Sequence, residues 1–164
     1  MKQLALTILF VMFILIFMPM LSLADIVHQG TVIYIQDGDS FKARINGQQI
    51  LISISGVDAP EMSQPFGAQS KQALGRLLFG KVVTLYFVAN AMALVKNEPI
   101  KAKVTLGQRD IAAELVRGGY AWVDRQTTND PLLIQLEAQA RTKRLGLWQS
   151  IVRQPPWEWR SRHQ

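Results

Sequence analysis

Asn46-Gly47 stands between two alternating apolar runs, Phe41–Ile45 and Gln48–Ser55, and this arrangement specifies a β-hairpin. Asn-Gly accepts the left-handed backbone of a two-residue turn whose twist suits the flanking strands. On the returning strand Ile50, Ile52 and Ile54 fall on one face, with Leu51, Ser53 and Ser55 on the other. The preceding stretch Ile26–Gln36 is mostly β-branched or aromatic, so three consecutive strands form a meander.

Helical spacing interrupts this strand pattern three times. Ala73, Leu74, Leu77 and Leu78 predict a helix over Ala68–Phe79, ended by Gly80 and followed by a strand over Lys81–Val88. The pattern blurs between Ala89 and Pro99, and Ile100–Leu106 then alternates weakly as a further strand. Asp110 is placed to cap a helix over Ile111–Arg117, which Gly118-Gly119 stops. Pro131 suits a first helical position, predicting a last helix over Leu132–Arg144 closed by Gly146. Early strands with inserted and appended helices give an α+β domain. Its expected architecture is a five-stranded oligonucleotide/oligosaccharide-binding (OB-fold) β-barrel with about three helices.

The N-terminus bounds the domain. Lys2, the apolar stretch Leu4–Met18, Pro19 and the small-residue exit Ser22-Leu23-Ala24 predict a secretory signal peptide over residues 1–24, with an uncleaved anchor as the alternative. Such a chain is exported, periplasmic or secreted, and stays at the membrane if the segment is retained. One domain over residues 25–149 and a short aromatic, basic tail over 150–164 account for the rest. There is no cysteine among the 164 residues, which excludes disulfides, thiolate metal sites and cysteine nucleophiles. The formal charge of +6 suits an anionic polymer partner, or simple solubility. His28 and His163 stand alone. No Gly-x-Ser-x-Gly, phosphate-binding Gly-rich loop or HExxH segment occurs, so serine-triad, nucleotide-triphosphate and zinc-hydrolase chemistries lack support.

The candidate chemistry lies at two turns beside apolar strands, Asp37-Gly38-Asp39-Ser40 and Gly56-Val57-Asp58-Ala59-Pro60-Glu61. Gathered carboxylates repel one another, so a site holding Asp39, Asp58 and Glu61 needs a compensating cation, and oxygen ligands favour calcium or magnesium. The same residues could instead simply cap their turns.

Five pieces in order carry a family resemblance: the two acidic segments, Glu114-Leu115-Val116-Arg117-Gly118-Gly119-Tyr120-Ala121, Glu137-Ala138-Gln139-Ala140-Arg141, and Leu145-Gly146-Leu147-Trp148. Together they make the chain resemble the staphylococcal nuclease (thermonuclease) family, and Pro156-Trp157-Glu158-Trp159-Arg160 looks like the tail of its exported bacterial members. The resemblance implies a monomeric, calcium-dependent phosphodiesterase acting on DNA or RNA. It implies one calcium ion held by Asp39, Asp58 and the backbone carbonyl of Ala59, with Glu61 as the catalytic residue that orients or deprotonates water.

The resemblance also implies two phosphate-clamping arginines, and neither is present. Ser53 stands five residues before Asp58, and Glu98 falls near the second position. Losing one preorganised donor to transition-state charge typically lowers a rate by about 10²- to 10³-fold. Lys42, Arg44, Lys96, Lys101 or Lys103 could return positive charge, or form an ordinary solvated face. Trp122 offers either a stacking surface for a base or a core indole. Arg141, Lys143, Arg144, Arg153, Arg160 and Arg162 could attract a polyanion or form a wet helix face and a loose tail. Two readings follow: a weakened exported calcium nuclease, or a catalytically inactive OB-fold module that binds nucleic acid or an envelope protein.

Overall fold

Strand β1 (Asp25–Ile35) pairs antiparallel with both β2 (Ser40–Ile45) and β5 (Val82–Val88), changing partner near Thr31. A register shift between Val32 and Tyr34 lets one strand serve both neighbours, as bends in small barrels do. β2 continues into β3 (Gln48–Ile54) through Asn46 and Gly47, both at positive φ, so the hairpin forms as the dipeptide predicts. β6 (Ile100–Leu106) runs antiparallel to β5 and pairs in parallel with β3, matching Ile52 to Ile100 and Ile54 to Ala102. That pairing closes the five-stranded barrel. The structure is a computed structural model that describes residues 25–88 and 98–163. The signal segment and Lys96 lie outside the described residues. Among the described residues, no helix is long and apolar enough to cross a membrane.

Alternation sets the core. Along β2 the side chains of Phe41, Ala43 and Ile45 are buried, while Lys42 and Arg44 face out. Ile52 and Ile54 meet them from β3, and Leu85 and Val104 from the opposite wall. Each fully buried Leu, Ile or Phe contributes roughly 1.5–3 kcal/mol by leaving water. Helix α1 (Gly67–Leu78) seats Leu74 and Leu78 in this core, and the Ser70 hydroxyl ties it to the Tyr120 carbonyl at 2.6 Å.

Short strand β7 (Arg109–Asp110) leads into helix α2 (Ile111–Arg117), whose Ala113 N–H donates to the Asp110 carboxylate at 3.2 Å. Helix α3 (Pro131–Thr142) starts on Pro131 with Asp130 as its cap. It ends before the expected stop: Arg144 already takes a left-handed turn at φ 50°, with Gly146 a second at φ 52°, and the Leu145 N–H returns to the Ala140 carbonyl at 3.0 Å. Gly146 instead opens a 3-10 turn over Gly146–Gln149.

A fourth helix, α4 (Pro156–His163), forms in the segment expected to be a loose tail. Pro156 is buried, and Trp157 packs on a second cluster made by Trp122, Ala140, Leu147 and Trp148.

Candidate active site

The two acidic turns converge on one rim of the barrel. Asp37 shapes the β1–β2 turn by accepting from the Asp39 N–H at 3.1 Å, the Ser40 N–H at 2.7 Å and the Ser40 hydroxyl at 2.6 Å. With that turn closed, Asp39 reaches across it and accepts from the Ala59 N–H at 2.6 Å. The turn-capping role therefore falls to Asp37, and Asp39 joins the first acidic segment to the second.

Asp58 is placed by strand pairing. The two-residue strand β4 (Val57–Asp58) pairs with β8 (Trp122–Val123), setting Asp58 opposite Trp122. β8 is in turn fixed by Glu137 of α3, a buried carboxylate that accepts from the Val123 N–H at 2.9 Å and from Arg125 at 3.1 Å, and pairs with Arg141 at 3.1 Å. A buried charge is tolerated when hydrogen bonds and countercharges meet it, and here two donors and a second arginine do so.

Glu61 is placed by a local clamp. Its N–H donates to the Gln64 side-chain oxygen at 3.1 Å, and its carbonyl accepts from the Gln64 N–H at 2.9 Å. Gly67 then starts α1 so close behind that a β-carbon there would fall 1.9 Å from the Glu61 carbonyl oxygen. Only glycine fits that contact.

Burial holds the Asp39 carboxyl well above the usual carboxylate range, and the charge of Asp37 pushes it further, with a smaller contribution from Asp58; the Ala59 N–H pulls the other way. Among the described residues no group of three or more Asp, Glu, His or Cys is gathered closely enough to hold an ion unaided. A cation from the protein stands at two of these carboxylates. The Arg160 guanidinium of α4 forks both Asp58 oxygens, at 3.1 and 2.7 Å, and also donates to a Glu61 oxygen at 2.7 Å. The positive charge that a divalent ion would bring to these carboxylates is supplied by the chain itself. All the donors are hard oxygens, which suit calcium or magnesium.

Arg160 is the functional candidate that sequence reasoning missed, since it counted only as part of a basic tail. The available signal was Pro156 opening a stretch with two tryptophans, a composition that is expensive to leave in water.

The remaining candidates are dispersed. Lys42 and Arg44 lie on the outer face of β2, with the Lys42 ammonium 5.7 Å and that of Lys71 5.5 Å from the ring centre of exposed Tyr34. Lys101 and Lys103 face Asp124 at 3.8 Å and Asp110 at 3.5 Å. Ser53 sits on β3 between Ser40 and Lys101, and Glu98 is exposed. Trp122 is buried, edge-on to Trp148 and Trp157, with the Arg141 guanidinium 5.1 Å from its ring, so its faces are taken up by packing.

The closed barrel with a carboxylate cluster on its rim defines an OB-type fold carrying an acidic site. The chain belongs to the staphylococcal nuclease family: the family model described as staphylococcal nuclease homologue matches residues 51–150. It is 32% identical to an uncharacterized endonuclease of Escherichia coli, covering 85% of this chain and 88% of that one. It is 31% identical to a micrococcal nuclease of Shigella flexneri, covering 80% of each. A protein named ParB of Escherichia coli is 32% identical, over 80% of this chain and 78% of its own length.

Proposed function

We propose that this chain hydrolyses phosphodiester bonds in DNA or RNA with the help of calcium, Glu61 taking the proton of the attacking water. The observation that carries this reading is the convergence of Asp39, Asp58 and Glu61 onto one rim, where Asp39 bonds the Ala59 N–H and Arg160 bridges Asp58 and Glu61. The names of the relatives, an endonuclease and a micrococcal nuclease, support the same chemistry.

Asp39, Asp58 and the Ala59 carbonyl are the groups that would hold calcium. When bound there, calcium offsets the repulsion among the carboxylates and draws negative charge from the phosphate. Glu61, about one-third exposed, is open to solvent yet held at its backbone by Gln64. Its carboxylate accepts a proton as the water oxygen bonds to phosphorus; the bond from phosphorus to one sugar oxygen breaks, and that oxygen takes a proton from solvent. Export through the apolar segment Leu4–Met18 completes the proposal, and N-terminal sequencing starting at Asp25 would support it.

Cleavage of a fluorescent single-stranded DNA, with calcium or with chelator, tests the reaction. Calcium-dependent cutting by the wild-type protein, lost in Glu61→Gln, supports it, whereas cutting that is indifferent to chelator or to that substitution contradicts it. Ser53 and Glu98 at the positions where the family resemblance calls for arginine favour a second reading, an inactive barrel that binds nucleic acid or an envelope protein partner. Nucleic-acid binding without any cutting is its signature.

A further inference from the structure

Resting on the hydrolytic reading above, we propose that Arg160 is a catalytic residue that contacts the scissile phosphate, brought to the rim by helix α4 and stored on Asp58 and Glu61 until a divalent cation takes Asp58.

Three observations carry this. The first is anchoring. Trp157 packs edge-on against Trp122 with ring centres 5.9 Å apart, and Trp122 is the strand partner of Asp58. The Gln154 carbonyl accepts from the Gln64 side-chain amide at 2.5 Å, and Gln64 is the residue that clamps Glu61. Helix α4 is therefore tied to both segments that carry the reactive carboxylates, so Arg160 is positioned there rather than left on a free tail.

The second is chemistry. A guanidinium is planar and permanently charged, and the fork that grips the two Asp58 oxygens equally fits two oxygens of a phosphate. Arg160 lies within hydrogen-bond distance of the carboxylate proposed to activate water, so a phosphate attacked from that position lies within reach of its N–H groups. Its side chain remains 40% exposed, which leaves it accessible to a ligand. Among the described residues no other Lys or Arg pairs with Asp58 or Glu61.

The third is exclusivity. Arg160 occupies a lone pair on each Asp58 oxygen and brings its own positive charge there, so a closed fork opposes the binding of an ion to Asp58. Cation binding and the stored position compete, and the guanidinium displaced from Asp58 is freed beside the site where the phosphate docks. The residue serves as a countercharge in the empty protein and as an anion donor in the loaded one.

Wild-type protein, Arg160→Gln and Arg160→Lys distinguish this role from a merely structural one. Calorimetric titration measures calcium affinity, and single-turnover cleavage of single-stranded DNA at saturating calcium measures the chemical step. Arg160→Gln is expected to bind calcium more tightly, because its competitor is gone, yet to cleave about 10²- to 10³-fold more slowly. Arg160→Lys retains charge without the fork and should cleave at an intermediate rate. A cleavage rate in Arg160→Gln equal to or above that of wild type, or weaker calcium binding in that variant, would overturn the proposal. A wild-type protein that neither binds calcium nor cuts overturns the hydrolytic reading and this one together; a wild-type protein that does both, unaffected by loss of Arg160, overturns this one alone.

Discussion

The Asp39 carboxylate accepts a hydrogen bond from the Ala59 N–H at 2.6 Å, joining two acidic turns that lie 20 residues apart in the chain. One oxygen is spent on that link, and the group remains buried beside the charges of Asp37 and Asp58, which together hold it above the usual carboxylate range. A group whose folded pKa is raised stabilises the fold below its unfolded pKa and loses that contribution as pH rises through the folded value. In chelator, the melting temperature of wild type should therefore fall relative to Asp39→Asn as pH rises through and above the ordinary carboxylate range. Calcium should raise the wild-type melting temperature at neutral pH and leave Asp39→Asn nearly unmoved. Thermal melts of both proteins across pH, with and without calcium, check this.

Glu137 lies outside the acidic rim yet determines where Asp58 sits, because it holds the Val123 N–H of the strand paired with Asp58. Glu137→Ala leaves that N–H and two arginines without their acceptor, and breaking such a buried pair typically destabilises by about 3–5 kcal/mol. Urea unfolding should show a loss near the lower end, since Arg125 and Arg141 are partly exposed and can be rehydrated.

Gly67 offers a test of Glu61 that leaves its carboxylate intact. The β-carbon of Gly67→Ala would meet the Glu61 carbonyl oxygen at 1.9 Å, so the loop carrying Glu61 must move. Misplacing a catalytic group by about 1 Å can lower a rate about 10²-fold. Cleavage should fall by that order while calorimetric calcium binding through Asp39 and Asp58 persists.

Trp122 and its neighbours should respond as packing residues. Trp122→Ala removes an indole packed against Trp148 and Trp157, and such truncations typically destabilise by about 3–5 kcal/mol. Chemical denaturation should show that loss. At a temperature where the variant remains folded, its KM for single-stranded DNA should match that of Trp148→Ala rather than stand apart, as a stacking residue would.

Much of the barrel was legible because its signals are local and periodic. Ile50, Ile52 and Ile54 alternate because one face of their strand is buried, and Asn46-Gly47 turns the hairpin because few other dipeptides accept two positive φ values. The Asp110 cap is equally local, a side chain bonding an N–H three residues on. The end of α3 misled because a left-handed turn is usually a glycine, whereas here Arg144 adopts one two residues before Gly146 adopts another. Asp39, Asp58 and Glu61 could be singled out from their turns, but Arg160 could not. Its partners are 102 and 99 residues away, and its placement depends on the tryptophan packing that docks α4. A basic residue in a C-terminal tail carries no local mark of such a contact.

In the proposed reaction a water molecule, deprotonated by Glu61, attacks phosphorus on this rim. Cleavage of single-stranded DNA in water enriched in the heavy oxygen isotope, with calcium present, tests it most directly when the products are weighed by mass spectrometry. One heavy oxygen should enter the terminal phosphate of each cleaved strand, at a rate that collapses in Glu61→Gln. Uncut DNA, or label that enters the phosphate equally fast in Glu61→Gln, would contradict it.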